Sequence, residues 1–194
     1  PDFWVALRNT LIISLLKLVF NFPAPIILAL LLNEVYRSVF KRVVQTIVYF
    51  PHFISWVILG GIMISLFSSN SGLLAFLGLE VSPLMDPSKF RALLVFSEMW
   101  KEVGWGTIIY LAAISGINPD LYDAGKMDGA NRFHLVRHIT LPSMMPVISI
   151  QFILSVGLLL SASFEKIILM YSPATYETAD ILATYVFRNG LQNA

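Results

Sequence analysis

The 194-residue chain contains no cysteine, and only 13% of its residues are charged. Without cysteine it can form neither a disulfide bond nor a thiolate metal site. The cysteine content therefore does not indicate whether the protein works in an oxidising or a reducing compartment. A soluble globular domain carries about 25% charged residues, so this chain has too little polar surface to stay compact in water. With 57% hydrophobic residues and a mean hydropathy of +0.74, it suits a lipid bilayer instead.

The formal net charge is only +1, so charge does not suggest a nucleic-acid partner. The chain has no GxxxxGK[ST] pattern, and it therefore cannot bind nucleotide in the manner of a P-loop. His134 and His138 have helical i,i+4 spacing, but no HExxH pattern surrounds them. We therefore expect a polar loop face there, and we expect no metal site, no cofactor and no catalytic residue.

Four hydrophobic stretches are each long enough to cross a membrane, which requires about 20 helical residues. Lipid offers the backbone no hydrogen bonds, so each stretch is predicted to be helical and the fold to be an all-α transmembrane bundle. Prolines interrupt the first two stretches and open the fourth, and a proline inside a span kinks its helix. The predicted spans are residues 9–32, 43–67, 92–117 and 142–160.

Charged residues inside these stretches have two explanations. Lys17 lies in the first stretch, and Glu98, Lys101 and Glu102 lie in the third. Ionisable groups within a membrane are costly and usually face a cavity, which indicates a transport path. The alternative is an i,i+3 ion pair near the outer membrane interface, and for the Glu-Lys pair at 165–166 we expect that simpler surface role.

Loop charges predict which loops face the cytoplasm. The loops after the first and third spans carry six basic residues, against four on the opposite side. Because cytoplasmic loops are enriched in Lys and Arg, residues 34–42 and 118–140 are predicted to be cytoplasmic. The six are Arg37, Lys41, Arg42, Lys126, Arg132 and Arg137, and the four are Arg8, Lys89, Arg91 and Arg188.

The second of these loops has the pattern of two short helices lying on the membrane surface. Asn118 is a good N-cap, Pro119 suits the first helical position, and Gly129 is predicted to stop the first helix. A second helix over residues 133–139 is predicted to end at Leu141, because the residue before a proline avoids helical geometry.

From residue 123 the loop reads DAGKMDGANRFHLVRHITLP, with small residues at 124 and 125 that would let another protein's surface approach the backbone. This segment resembles the EAA loop of binding-protein-dependent ABC importer permeases, in which Glu-Ala-Ala is followed at fixed intervals by Gly, Ile and Leu-Pro. Asp replaces the family's Glu, and Gly replaces its second Ala. The residues that the resemblance assigns to ATPase coupling are Asp123, Ala124, Gly125, Asp128, Gly129, Ala130, Ile139, Leu141 and Pro142.

The resemblance extends over nearly the whole chain and implies the MetI-like fold of type I ABC importers. In that family the EAA loop is a coupling helix seated on the ATPase, and the spans alternate between inward-open and outward-open states. It implies a multi-pass permease subunit of the cytoplasmic (inner) membrane of a bacterium, not an enzyme, since ATP hydrolysis belongs to a partner. The implied partners are the lipid bilayer, a second permease subunit, two ABC ATPase subunits and an extracytoplasmic solute-binding protein.

The same resemblance indicates the cargo. Residues 171–191 are similar to the carbohydrate branch of the family, in particular to permeases for oligosaccharides and polysaccharide fragments. An aromatic ring beside a carboxylate and a hydroxyl also suits a sugar. The resemblance assigns the substrate path to Glu102, Trp105, Ser155, Leu159 and Ala162, and it assigns docking of the binding protein to Tyr176, Glu177 and Asp180. A purely structural role for that last loop is the alternative.

Two other functions stay open at this point. The same fold could import an amino acid, a peptide or a phosphonate, which would change only the cargo. An intramembrane enzyme would need a catalytic pair at one depth, such as Ser-His or two Asp, and no predicted span holds one. The chain begins at Pro1 and ends in polar sequence, so we expect residues 1–194 to be a fragment with one further span beyond each end.

Overall fold

The computed structural model describes residues 2–67, 82–158 and 164–191, and these ranges contain helices and turns but no strand. The all-α fold predicted from the hydrophobic stretches is therefore confirmed. The helices are α1 (Asp2–Phe20), α2 (Pro23–Asn33), α3 (Ser38–Tyr49), α4 (Trp56–Phe67), α5 (Pro87–Ser115), α6 (Pro119–Met127), α7 (Arg132–Gly157), α8 (Phe164–Met170), α9 (Tyr176–Ala179) and α10 (Leu182–Leu191).

Prolines break two of the predicted spans. Pro23 and Pro25 lack backbone donors, and a two-residue turn separates α1 from α2 just before them. The two helices still form one apolar element, Phe3–Asn33. Pro51 lies in a 3₁₀ turn between α3 and α4, which meet at 98°. The predicted second span is thus a bent pair with the geometry of a broken span or a re-entrant loop.

Within the described ranges, two helices are long and apolar enough to cross a bilayer, Phe3–Asn33 and Arg132–Gly157, and the bent pair would make a third. Phe3–Asn33 contains the first predicted span and the bent pair contains the second. Arg132–Gly157 contains residues 142–157 of the fourth, whose residues 159 and 160 lie outside the description. Helix α5 has 29 residues but carries five charged side chains between Lys89 and Glu102, so its composition does not identify it as a span. The span at 92–117 stays a prediction.

Helix α5 is the central element of the bundle. At Gly104 an added Cβ would overlap the carbonyl of Val48, so only glycine lets the backbones of α3 and α5 come this close. Two apolar cores form around helix α5. One consists of Ile13, Leu84, Phe90, Leu94, Ile167, Met170, Ala179 and Ile181, and the other of Ala29, Tyr110, Ile114 and Met144.

A buried polar junction joins the start of the chain to its tail. Asn9 is fully buried, and its Nδ2 donates to the carbonyls of Glu177 and Asp180 at 3.0 Å each. Its Oδ1 accepts from Nη2 of Arg91 at 2.7 Å. One amide therefore ties α1, α5 and the tail together across as many as 171 residues of sequence.

Candidate functional site

Helix α6 begins and ends as its sequence predicts. Oδ1 of Asn118 accepts a hydrogen bond from the backbone of Asp120 at 3.0 Å, and proline occupies the first helical position. At the other end Gly129 has φ 77°, in the left-handed region. The backbone N–H groups of Gly129 and Ala130 donate to the carbonyls of Lys126 and Gly125, the two hydrogen bonds of a Schellman motif. The short helix therefore has a defined start and stop.

The two small residues of α6 face different surroundings. Ala124 is exposed, as a contact residue for another protein should be. A Cβ added to Gly125 would lie 2.7 Å from Cδ2 of Leu135 and 3.0 Å from Cδ1 of Ile139. Gly125 is therefore small because α7 of the same chain packs against it, which corrects the expectation that it faces a partner. Ile139 likewise contributes to this internal contact.

The second helix of the loop does not end at Leu141, contrary to the sequence-based expectation. Helix α7 continues to Gly157, and Leu141 keeps helical dihedrals of −63° and −46°. Residues Val136–Thr140 form a π-helical turn in which the Leu141 N–H donates to the Val136 carbonyl. We attribute the continuation to this wider turn, because it gives the ring of Pro142 room beside the preceding carbonyls.

A hydrogen bond also joins the two helices. The hydroxyl of Tyr122 lies 2.9 Å from Oγ1 of Thr140, which is buried within the π turn. Together with the Gly125 contact, this bond makes the corner between α6 and α7 rigid. The outward face of α6 remains open, and Met127 is 88% exposed there. The exposed coupling candidates are Asp123, Ala124, Asp128, Gly129 and Pro142, whereas Gly125, Ala130, Ile139 and Leu141 are partly buried.

The two substrate-path candidates on α5 share one cluster. Oε2 of Glu102 lies 2.8 Å from Nδ1 of His52, and the His52 ring stacks on Trp105 at 4.4 Å. The Lys101 ammonium donates to the other Glu102 oxygen at 3.1 Å and to the His52 carbonyl at 2.8 Å. Trp105 remains 48% exposed. Because His52 comes from the turn between α3 and α4, the sequence alone did not indicate it.

Ser155 lies apart from that cluster, in a cavity of about 230 Å³ between α1, α5 and α7. Lys17, Asn21, Phe22 and Glu98 also line it. The described lining residues of this cavity do not include Glu102 or Trp105, so the structure separates the predicted path into two places. The remaining path candidates, Leu159 and Ala162, lie outside the described residues.

Glu98 is paired over a long distance in sequence. It contacts Nζ of Lys17 at 2.6 Å and Nζ of Lys166 at 2.5 Å. Lys166 is 1% exposed and also lies over the ring of Trp56. The expected surface role for Lys166 was therefore wrong, since its partner is on another helix. A lysine within an apolar stretch was the signal that marked this cluster in the sequence.

The three docking candidates also differ. Glu177 is exposed, and Tyr176 is half-buried. Asp180 is only 4% exposed and binds Arg188 at 2.6 Å, so it holds the tail together and offers no docking surface. Burial lowers the pKa of Arg188, but the hydrogen bond and charge of Asp180 outweigh that effect and raise it. The prediction for Asp180 is corrected because its partners lie within the chain.

Comparison with known proteins decides the family. Residues 21–191 match the family described as the inner membrane component of binding-protein-dependent transport systems. The chain belongs to this family. The resemblance noted in the coupling loop is thereby confirmed, and the family is one of transport components.

Two relatives from Bacillus subtilis (strain 168) are each 44% identical. Protein LplB matches over 98% of this chain and 62% of its own length. The polygalacturonan/rhamnogalacturonan transport system permease protein YteP matches over 99% of this chain and 61% of its own length. The chain therefore spans about three fifths of the length of these curated relatives.

A solved structure agrees with the fold. The crystal structure of a bacterial ABC transporter involved in the import of the acidic polysaccharide alginate superposes with a TM-score of 0.95 at 46% identity. The match covers 100% of this chain and 69% of that one. A second structure of such a transporter, in complex with an alginate pentasaccharide-bound periplasmic protein, superposes equally well. The MetI-like helical fold expected from the sequence is confirmed.

Proposed function

We propose that this chain is part of a permease subunit that imports an oligosaccharide across the cytoplasmic membrane of a bacterium, driven by partner ATPases. The observation that carries the proposal is the geometry of α6. It is a short helix, capped at both ends, with an open outer face and a rigid attachment to the membrane helix α7. Such a helix can transmit a displacement because it moves together with the helix that follows it.

The coupling step follows from the contacts at this corner. An ATPase subunit that seats α6 in a groove contacts the exposed face around Ala124 and Met127. When ATP closes the ATPase dimer, the groove moves and α6 moves with it. The close approach at Gly125 and the bond between Tyr122 and Thr140 carry the movement into α7, which lines the path at Ser155. The spans then change between two packed arrangements.

The carbohydrate cargo is supported by the relatives. The YteP permease is named for polygalacturonan and rhamnogalacturonan transport, and the matching solved structure is an importer of alginate. Their identities of 44% and 46% extend over essentially the whole chain. Nothing in the described residues favours the alternative cargoes, an amino acid, a peptide or a phosphonate. We therefore assign an oligosaccharide substrate.

The proposed assembly contains a second permease, two ATPase subunits and a solute-binding protein. Large apolar side chains on α1, α3, α4 and α7 are exposed in this single chain, as expected of surfaces that meet lipid or a second permease. At the opposite end from α6, the exposed Glu177 and the half-buried Tyr176 stay candidates for contact with the binding protein.

The test is uptake by the full-length permease in a reconstituted complex. Vesicles containing both permeases and the ATPases receive the binding protein outside and ATP inside, and the uptake of labelled oligosaccharides is measured. We expect uptake that requires both ATP and the binding protein, and none in a matched complex whose ATPase cannot hydrolyse ATP. Uptake of amino acids or peptides in place of sugars would refute the cargo. ATP-independent uptake would refute the mechanism.

A further inference from the structure

Helix α3 is covered on one side and open on another. On the covered side its backbone lies against α5, since the Val48 carbonyl occupies the space beside Gly104. On the open side large apolar side chains are 51–66% exposed, and they share one helical face because they are three or four residues apart. This α3 stripe consists of Val39, Phe40, Val43 and Ile47. An exposed apolar face of this kind marks a contact with lipid or with another protein.

The start of α3 carries positive charge without a balancing anion. Arg37 and Lys41, which are four residues apart, and the adjacent Arg42 are all cationic, whereas the helix contains neither Asp nor Glu. None of the three forms an ion pair with a described residue, and the nearest carboxylate in sequence, Glu34, pairs with Arg132 at 3.8 Å. Like charges one helical turn apart repel each other. An anion bound between them would therefore stabilise the start of the helix.

The preceding residue and the length of α3 suit a membrane surface. Tyr36, directly before Arg37, is 93% exposed, and tyrosine is enriched where a bilayer meets water. The 12 residues of α3 extend about 18 Å, a little more than half of a hydrocarbon core about 30 Å thick. The α3 stripe can therefore lie along the acyl chains of one leaflet while the cations at its start reach the headgroups. The apolar stems of Lys and Arg allow this, because they lie along lipid while the charged ends stay in water.

We propose that the start of α3 binds an anionic phospholipid of the cytoplasmic leaflet, its phosphate between Arg37, Lys41 and Arg42 and its acyl chains along the α3 stripe. The inference goes beyond the proposed function, since it concerns the membrane around the permease and not the cargo. The loop charges predict the cytoplasmic side, and a leaflet of anionic lipids attracts Lys and Arg. Charge favours lipid over a second permease as the occupant, because each anionic lipid brings a phosphate to the depth at which the stripe ends.

The test measures which lipid lies beside α3 in the full-length complex. Val43→Cys carries a fluorophore, and because this chain has no cysteine of its own, cysteine-free partner subunits confine the label to that residue. The vesicles contain phosphatidylcholine and phosphatidylglycerol, and in each preparation only one of the two lipids has brominated acyl chains that quench the label. Ile150→Cys is the matched control, because its side chain is 59% exposed but lies in the uncharged segment Leu141–Gly157.

The quenching curves give the association constant of phosphatidylglycerol relative to phosphatidylcholine at each label. We expect a value of at least about ten at Val43→Cys and about one at Ile150→Cys, since each cation near an anionic lipid contributes roughly five-fold. The triple variant Arg37→Gln/Lys41→Gln/Arg42→Gln should lower the value at Val43→Cys to about one. The triple variant Arg37→Lys/Lys41→Arg/Arg42→Lys keeps all three charges and should keep the preference.

Three results would overturn this site. Equal association constants at Val43→Cys would mean that the stripe meets lipid without selecting a headgroup. No quenching there by either lipid would mean that protein covers the stripe. A preference that survives the glutamine variant would assign it to other residues. The uptake assay decides the proposed function separately, since a complex that prefers phosphatidylglycerol at α3 but imports no oligosaccharide refutes that function alone.

Discussion

Replacing Gly125 with alanine should weaken the corner that links the coupling helix to the membrane helix. In an ordinary helix the change would be favourable by about 0.5–1 kcal/mol, because glycine loses more conformational freedom on folding. Here the new methyl group would lie 2.7 Å from Cδ2 of Leu135 and 3.0 Å from Cδ1 of Ile139, so the ends of these two flexible side chains must shift. The cost therefore lies at the lower end of the about 1–3 kcal/mol that overpacking causes. The balance is a net destabilisation of up to about 1 kcal/mol.

The assay is a double-mutant cycle in the purified complex, with Leu135→Ala as the second change because it removes the clashing atom. Thermal stability and the amount of co-purified ATPase are measured for both single variants and the double variant. We expect Gly125→Ala to lower both quantities and the double variant to recover part of the loss, with a coupling energy of about 0.5–3 kcal/mol. Gly61→Ala is the matched control, because a methyl group added there meets nothing within 4 Å.

Two results would refute this reasoning. If Gly125→Ala stabilises the complex as much as Gly61→Ala does, α7 does not press against α6 at that residue. If the effects of Gly125→Ala and Leu135→Ala simply add, the two side chains do not interact. Either result would also remove the mechanical link by which α6 is proposed to move α7.

Three further changes test other parts of the structure. Gly129→Asp should fold, because a Cβ there meets nothing within 4 Å, but the left-handed dihedral costs about 1–2 kcal/mol and co-purification of the ATPase should fall. Trp105→Ala should reduce oligosaccharide uptake while the assembled complex keeps its full ATPase content, and unchanged uptake would exclude Trp105 from the path. Asn9→Leu should lower the stability of the complex by about 2 kcal/mol, because it removes the Asn9 partner of Nη2 of Arg91 and of two carbonyls, although Nε of Arg91 keeps its bond to the Thr178 carbonyl. The exposed Asn189→Leu is its control, and an equal effect of the two would contradict the junction.

Local features of the coupling loop were predictable from the sequence because their causes are local. Asn118 caps α6 and Gly129 ends it, since a cap and a left-handed stop depend on a few neighbouring residues. The packing of Gly125 against α7 was not predictable, because a glycine is needed there only as a result of α7 crossing α6. The continuation of α7 past Leu141 was missed for a similar reason, since it depends on the π turn before Pro142.

The pairing of charged side chains was the least predictable feature. Sequence proximity suggested partners one helical turn away, but Glu98 pairs with lysines on α1 and α8. The family resemblance assigned Asp180 to docking of the binding protein, but Asp180 is buried by its contacts with Arg188 and with the junction at Asn9. These contacts join residues that are distant in sequence, so only the packed bundle brings them together.

Cross-linking from the exposed face of α6 tests the central claim most directly. The chain has no cysteine, so Met127→Cys places a thiol at an 88% exposed position without background from these 194 residues. Met85→Cys, at a 62% exposed methionine just before α5, is the control. In the full complex, a short thiol-to-amine reagent should join Met127→Cys to an ATPase subunit and leave Met85→Cys unlinked to it. If Met127→Cys gives no link to the ATPase, or Met85→Cys gives an equal one, α6 is not the coupling helix.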